Sequence, residues 1–366
     1  MTTTETALAP RERALADDET PVRGDLSIFL VTPASADPQR TYVDAFESIE
    51  FAESLGFGFA WVAEAHFSPL FGIPSALSFL AALSQRVSRI GLGTAVVPLA
   101  FDNPLRLAEN SAVANVLAGD RLELGVGKGN PVGSGDMYSA FGLDEGDRDQ
   151  LYATALAALK HALAGQFDLG DHVVELYPPA ASILGRIWQA TGNHATAAAA
   201  GAAGDGLMLF RTTPEGVAGD VQSALIDSYL REFDYERAEP RIGVSRSILL
   251  ADSRAEAIKV AAAQYAALPV SNGNGFKLRP DNLDADSVEA HLRKTDVYFG
   301  DVDDVVEALN NDQAVTRSTN YLFNTPFHPS NSPRFREFLA ALADEVYPRV
   351  RQAPDAFRIS TQSVGG

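Results

Sequence analysis

The apolar positions of this chain fall into short runs separated by longer amphipathic segments. "LSIFLV", Leu26 to Val31, reads as a buried strand and is followed by Thr32-Pro33. The period then changes: Tyr42, Ala45, Phe46, Ile49, Ala52 and Leu55 recur at helical spacing, Asp44, Glu47, Glu50 and Glu53 take the opposite side, and Gly56 ends the segment. A second strand is predicted at Phe59 to Ala63, a helix at Ala76 to Arg86 and a third strand at Ile90 to Val96. Asn103 as N-cap with Pro104 at the first helical position opens another helix, which Gly119 closes before a fourth strand starts at Leu122.

The same beat runs on. A helix from Asp147 to Ala164 ends at Gly165, "QFDLGDHVVELYPP" departs from the pattern as an irregular or hairpin excursion, and "RIWQAT" is strand five. Then come a helix from Ala195 to Ala203, strand six in "GLMLF", a helix in "EGVAGDVQSALIDSYLREF", strand seven in "IGVSRSILL" and a helix from Arg254 to Ala267. A polar, glycine-rich insertion over 269–300 precedes helical "DVDDVVEAL", the eighth run "NYLFNT" and a terminal helix over 332–351. Eight strands alternating with helices predict an α/β fold, a (β/α)8 TIM barrel with an insertion after strand 7; a doubly wound open sheet is the competing architecture. Residues 1–24 read as a flexible tail and 25–366 as one barrel domain.

Composition narrows the partners. The 366 residues are 46% hydrophobic, enough for a large core, and the formal charge of −19 argues against nucleic acid or an acidic membrane surface as the main partner. There is no cysteine, which removes disulfides, thiolate metal sites and cysteine nucleophiles. No apolar run approaches the roughly 20 residues of a membrane helix, and the first 24 residues lack the apolar core of a signal peptide. A cytoplasmic protein is expected.

In a barrel, chemistry gathers on the loops that follow the strands' C-terminal ends. Here those loops begin at Thr32, Glu64, Val97, Gly127, Thr191, Arg211, past Leu250 and at Asn324. "LELGVGKGNPVGSG", residues 122–135, is one of them. It matches neither a Rossmann fingerprint, because Asn130 holds the third glycine slot, nor a Walker loop, because Gly129 follows Lys128. Gly192 and Asn193 precede an alanine-rich helix straight after strand five; free backbone N–H groups and the helix dipole make this a phosphate seat, with Asn193, His194 and Thr196 adding donors, or simply a capped helix. Lys128 and Arg148 offer the positive charge a phosphate prefers. His66, two residues after Glu64, follows strand two and is the candidate acid–base group, with a structural histidine as the alternative. His161, His172, His291 and His328 show no ligand spacing, so no metal site is expected, and "VGSGD" lacks the first glycine of a serine-hydrolase elbow.

Taken together, "FAESLGFGFAWVAEAHFSP", "RIGLGTAVVPLAFDNPLRLAENSAVANVLAGDRLELGVGKG", "FGLDEGDR", "WQATGNHATAAAAGAAGDGLMLF" and "VYPRVR" resemble the bacterial luciferase-like family of flavin-dependent monooxygenases and oxidoreductases. The resemblance runs from about residue 26 over nearly the whole chain. It implies a barrel, usually dimeric, that binds FMN or a deazaflavin relative at the strands' C-terminal face. By the same resemblance Lys128 stands beside the flavin, Arg148 reaches its phosphate, Gly192, Asn193 and Thr196 form the phosphate turn, and Ala95 and Val96 match a cis peptide beneath the isoalloxazine ring. One departure stands out: luciferases carry Glu-His-His after strand two, and this chain reads Glu64-Ala65-His66, so the family's catalytic first histidine is Ala65. The implied activity is a two-component monooxygenase using reduced FMN from a separate flavin reductase and O₂. Alternatives are a deazaflavin-dependent hydride-transfer enzyme and a non-catalytic flavin-binding protein. The substrate, chosen by the strand-two loop (Phe67 to Ile73), the excursion and the insertion, is expected to be a small hydrophobic molecule.

Overall fold

Eight short strands, β1 (Asp25–Leu30), β2 (Phe59–Val62), β3 (Gly91–Thr94), β4 (Leu122–Gly127), β5 (Ile187–Ala190), β6 (Gly206–Leu209), β7 (Ile242–Leu250) and β8 (Asn320–Asn324), pair in parallel with their sequence neighbours. Ile28 stands against Phe323 as well as Ala60, so β8 returns to β1 and the ring closes, which decides for the (β/α)8 barrel over the open sheet. The computed structural model describes residues 24–129, 135–168, 171–210, 218–236, 238–270, 277–353 and 356–357. The tail up to residue 23, the end of the glycine-rich stretch (130–134), Arg211 and part of the insertion (271–276) lie outside the described residues.

The helices form where the apolar spacing demands. In α1 (Pro38–Ser54) Ala45, Ile49 and Ala52 are buried on one side, the Asp37 side chain caps the Arg40 N–H, and Gly56 leaves the helix at φ +86°. α2 (Ala76–Leu83) follows Ser75, which makes no capping bond, and α3 (Pro104–Leu117) starts where Asn103 places it, its side chain accepting from the Leu105 and Arg106 amides. Next come α4 (Arg148–Leu163), α5 (His194–Ala202), α6 (Ala218–Arg231) and α7 (Arg254–Ala266). The excursion after α4 is a two-stranded antiparallel ribbon, Gln166–Asp168 against Val173–Glu175.

The insertion is more ordered than its composition suggests. It contains a helix, α8 (Ala285–Lys294), and a strand, Val297–Gly300, which joins β7 at Ser247 to Leu250. That strand takes over the β7 edge which β6 occupies only at Ile242 to Val244. Helix α9 (Val302–Asn311) and the terminal α10 (Pro333–Ala341) complete the ring.

Two cores follow. The larger lies between strands and helices; the smaller fills the barrel, with Trp61, Ala95, Trp188, Met208 and Leu322 buried and Phe29, Phe59, Val96, Ala190 and Phe210 packed on them. Side chains alternate along each strand, so β7 sends Gly243, Ser245 and Ser247 inward and Val244, Arg246 and Ile248 outward. Among the described residues no helix is long and apolar enough to cross a membrane, and no group of three His, Asp or Glu is placed to hold a metal.

Candidate active site

At the C-terminal mouth three adjacent strands end on small side chains. Ala95 follows β3, Gly127 ends β4 and Ala190 ends β5. A Cβ on Gly127 would sit 2.7 Å from Val96 Cγ2 and 3.5 Å from Ala190 Cβ, so glycine is what keeps this row shallow. The Ala95–Val96 peptide bond is cis.

Lys128 leaves β4 beside this row. Its Nζ donates to Thr196 Oγ1 at 3.3 Å, pairs with Asp149 Oδ1 at 2.8 Å and stands 5.6 Å from the centre of the Tyr152 ring. The Lys128 side chain is only 16% exposed whereas that of Asp149 is 80% exposed, so the carboxylate is held by the lysine and not by packing. The Lys128 hydrogen bond draws the Asp149 carboxyl below its ordinary value. Arg148, the first residue of α4, turns onto the loop: its Nε donates to the Lys128 carbonyl at 3.2 Å and its Nη2 to that of Gly129. The Tyr138 hydroxyl donates to the same Lys128 carbonyl at 3.0 Å. Gly129 itself adopts φ +79°, a conformation that favours glycine.

The α5 start differs from a seat of free amides. Asn193 Oδ1 accepts from the Ala195 and Thr196 N–H groups, and the Asn193 N–H donates to Thr191 Oγ1. What faces Lys128 is therefore the Thr196 hydroxyl and the positive end of the helix. His194 pairs with Ser228 Oγ of α6 at 2.9 Å, so its ring is engaged with the neighbouring helix. Lys128 and Thr196 are thus brought together, Arg148 and Asn193 brace them, and His194 stands apart. Asp149 and Tyr152 had no separate sequence signal, although their helical spacing from Arg148 places them beside the β4 loop.

The second neighbourhood follows β2. Glu64 is buried, its Oε2 accepts the Ala76 N–H at the start of α2 at 2.7 Å, and its Oε1 lies 3.6 Å from His66 Nε2. Burial pushes the Glu64 carboxyl up, and His66 and the Ala76 N–H only partly offset it. Burial raises Asp102 in the same way, with the His66 charge opposing. The His66 ring meets Phe101 and Phe141 edge-on, with centroids 5.6 and 5.3 Å away. Phe101 and Phe141 stack at 4.8 Å, and Phe67, 76% exposed and at φ +52°, reaches Phe141 at 5.8 Å. Sequence reasoning reached Phe67 through the strand-two loop but missed Phe101 and Asp102, which lie in the segment after β3.

The geometry joins a cationic and hydroxyl pair at a helix start to a small-residue floor and an acid–imidazole pair under aromatic cover. Residues 25–314 match the family model described as luciferase-like monooxygenase. The chain belongs to the luciferase-like monooxygenase family. Within this family's relatives, 4-hydroxyprotoasukamycin monooxygenase of Streptomyces nodosus subsp. asukaensis is 31% identical over 161 residues, 42% of this chain and 43% of that protein. The chain spans less than half the length of the curated relatives it matches, with aligned shares of 36, 43 and 48%. Among solved structures, the oxygenating constituent of 3,6-diketocamphane monooxygenase of Pseudomonas putida in complex with FMN superposes with a TM-score of 0.67 at 14% identity, over 91% of this chain and all of that one. An F420-dependent secondary alcohol dehydrogenase in complex with an F420-acetone adduct superposes at 0.63 with 15% identity, over 90 and 100% of the two chains. These structural likenesses carry the fold.

Proposed function

We propose that this protein is the oxygenase of a two-component monooxygenase, taking reduced FMN from a separate flavin reductase and using O₂ to oxidise a small organic substrate. The observation that carries the reading is the meeting of Lys128 and Thr196 at the α5 start, beside the floor of Ala95, Val96, Gly127 and Ala190. These residues fit a flavin mononucleotide: the floor leaves room for a flat ring, and the lysine, hydroxyl and helix end suit a phosphate monoester. Bound reduced FMN supplies the electrons that activate O₂.

The protein's own residues do the rest. Lys128 and Thr196 hold the phosphate, and the exposed Asp149 carboxylate yields its lysine contact to it. Arg148 and Tyr138 fix the loop backbone that presents Lys128. His66 moves a proton at the mouth, and Phe67, Phe101 and Phe141 cover that position against water and receive the apolar body of the substrate. A cytoplasmic homodimer completes the reading. Leu105, Val113, Val116 and Leu117 form an exposed apolar stripe on α3, and Val116→Glu is expected to convert a dimer to a monomer in sedimentation analysis.

The test is an absorbance titration of the purified protein with FMN and with a deazaflavin, followed by O₂ uptake on adding the reduced cofactor. FMN binding with rapid O₂ uptake supports the oxygenase. Deazaflavin binding without O₂ uptake would establish instead the hydride-transfer reading, an activity that the F420-dependent structural neighbour of the same fold is named for.

A further inference from the structure

A cavity of about 180 Å³ opens on the other side of the mouth, lined by Phe29, Phe210, the Ser245-Arg246-Ser247 stretch of β7, Asn324 and the Thr295-Asp296 turn. Its position has a structural cause. Strand β7 is nine residues long, β6 pairs with it only as far as Val244, and the Val297–Gly300 strand takes up the same edge only from Ser247. Between those pairings the edge is uncovered, and it lies at the strands' C-terminal face, where barrels of this kind take ligands.

The lining has a definite chemistry. Ser247 stands in register with Asn324 on β8, and Phe29 follows by one step the Ile28 that pairs with Phe323, so Phe29, Asn324 and Ser247 form one inward row across three strands. Phe210 and Phe29 meet at 5.2 Å with their planes tilted by 47°, so the two rings touch and form one angled apolar wall. Among the described residues no hydrogen bond joins the side chains of Ser245, Ser247 or Asn324 to another residue, and Asn324 Oδ1 is buried without a partner. Buried polar groups in folded proteins ordinarily find partners, so the buried Asn324 Oδ1, with the half-buried Ser245 and Ser247 beside it, calls for a bound polar group. Phe29 and Phe210 also pack on the interior cluster that includes Ala95 and Val96. The cavity and the proposed flavin floor therefore share a wall.

We infer that this cavity is the substrate's ring pocket, and that it selects a single six-membered aromatic ring carrying a hydroxyl group, packed against the wall that Phe29 and Phe210 form together, with its hydroxyl on Ser247 and Asn324. Size supports a single ring: a cavity of about 150 Å³ accepts benzene, and the additional room here suits one or two substituent atoms. Chemistry supports the hydroxyl. An apolar ligand would leave the buried Asn324 Oδ1 unsatisfied, whereas a phenol can donate to it and accept from a serine hydroxyl. The inference rests on the proposed flavin site only for the claim that the ring is the molecule oxidised; binding in the cavity stands or falls separately.

Phenol and toluene, of nearly equal size, test it. The chain's two tryptophans, Trp61 and Trp188, lie in the interior cluster against Phe29 and Phe210, so their emission excited at 295 nm reports occupancy of the pocket in flavin-free protein. Phenol is expected to quench saturably and about tenfold more tightly than toluene, in line with one net hydrogen bond. The Ser247→Ala/Asn324→Leu protein is expected to lose that preference while retaining FMN binding. Equal affinities in the parent, or a phenol preference that survives both substitutions, would overturn the inference. A parent that discriminates phenol from toluene but binds no FMN would leave the pocket standing and remove the flavin reading.

Discussion

Lys128 Nζ lies 3.3 Å from Thr196 Oγ1, although 68 positions separate the two residues. The barrel makes the contact, because Lys128 follows β4 and Thr196 sits in the first turn after β5. Asp149 competes for the same ammonium group, so the site carries its own surrogate anion. Two opposite effects are expected in FMN titrations. Lys128→Ala removes a charge-assisted bond worth about 1.5–3 kcal/mol and should weaken FMN about ten- to hundredfold. Asp149→Asn frees the lysine and should tighten FMN several-fold. Unchanged affinity in Lys128→Ala would place the phosphate elsewhere.

Glu64 links the start of α2 to His66, and its burial gives a pH signature. Its folded pKa is raised, so the fold favours the protonated acid. The associated stability is fully present below the ordinary glutamate value of about 4.3 and is lost as pH rises through the raised folded value. Glu64→Gln keeps an acceptor for the Ala76 N–H but cannot titrate. Urea midpoints at pH 4 and pH 7.5 should therefore show the parent losing ground to the variant at the higher pH; parallel changes would contradict this. His66→Gln should lower kcat by about a hundredfold or more if the ring moves a proton, and Glu64→Gln should shift the pH profile of kcat and not merely its height.

The fold was legible where burial has a period. β1 and β4 are nearly continuous apolar runs, and Asn103-Pro104 marks the start of α3 to the residue. Helix α8 was not legible because Val288 and Leu292 are its only buried residues in an otherwise polar segment, which reads as loop. The Val297–Gly300 strand was hidden for a related reason: its pairing depends on how far β7 outruns β6, which no local pattern encodes. In the candidate site the strand ends located Lys128 and His66. Thr196 was named from the helix start, but its meeting with Lys128, and the approach of Asp149 from α4 and of Phe101 from the segment after β3, come only with closure of the barrel. His194 illustrates the limit of helix-start reasoning, since its ring is drawn to Ser228 by the close packing of α5 on α6.

Gly125 and Gly127, two residues apart on β4, separate folding from binding. A Cβ on Gly125 would lie 2.0 Å from the Thr94 backbone oxygen, which can be relieved only by moving a strand. Gly125→Ala is expected to cost about 1–3 kcal/mol or more, read as a lowered melting temperature. At Gly127 the clash is with the Val96 methyl on the proposed cofactor floor. Gly127→Ala should melt closer to the parent yet bind FMN more weakly. The reverse order of effects in the two measurements would show that the Gly127 position serves packing alone.

Arg246 and Asp312 form an ion pair whose side chains are each 1% exposed, with Nε to Oδ2 at 2.7 Å. Asp312 also accepts from the Tyr298 hydroxyl and, through Oδ1, from the Ala314 and Val315 N–H groups. Burial pushes the Asp312 carboxyl up, but the Arg246 charge and these hydrogen bonds together outweigh it and hold the group below its ordinary value. Its contribution is therefore present above the ordinary aspartate value of about 3.9 and is lost as pH falls through the depressed folded value. Asp312→Ala strands a buried guanidinium and two amides and should cost about 3–5 kcal/mol. Arg246→Met leaves Asp312 with its tyrosine and amide donors and should cost less. Urea unfolding of the two variants at pH 7 decides the matter: an Arg246→Met protein less stable than Asp312→Ala would mean that the arginine, and not the carboxylate hub, ties β7 to the segment after α9.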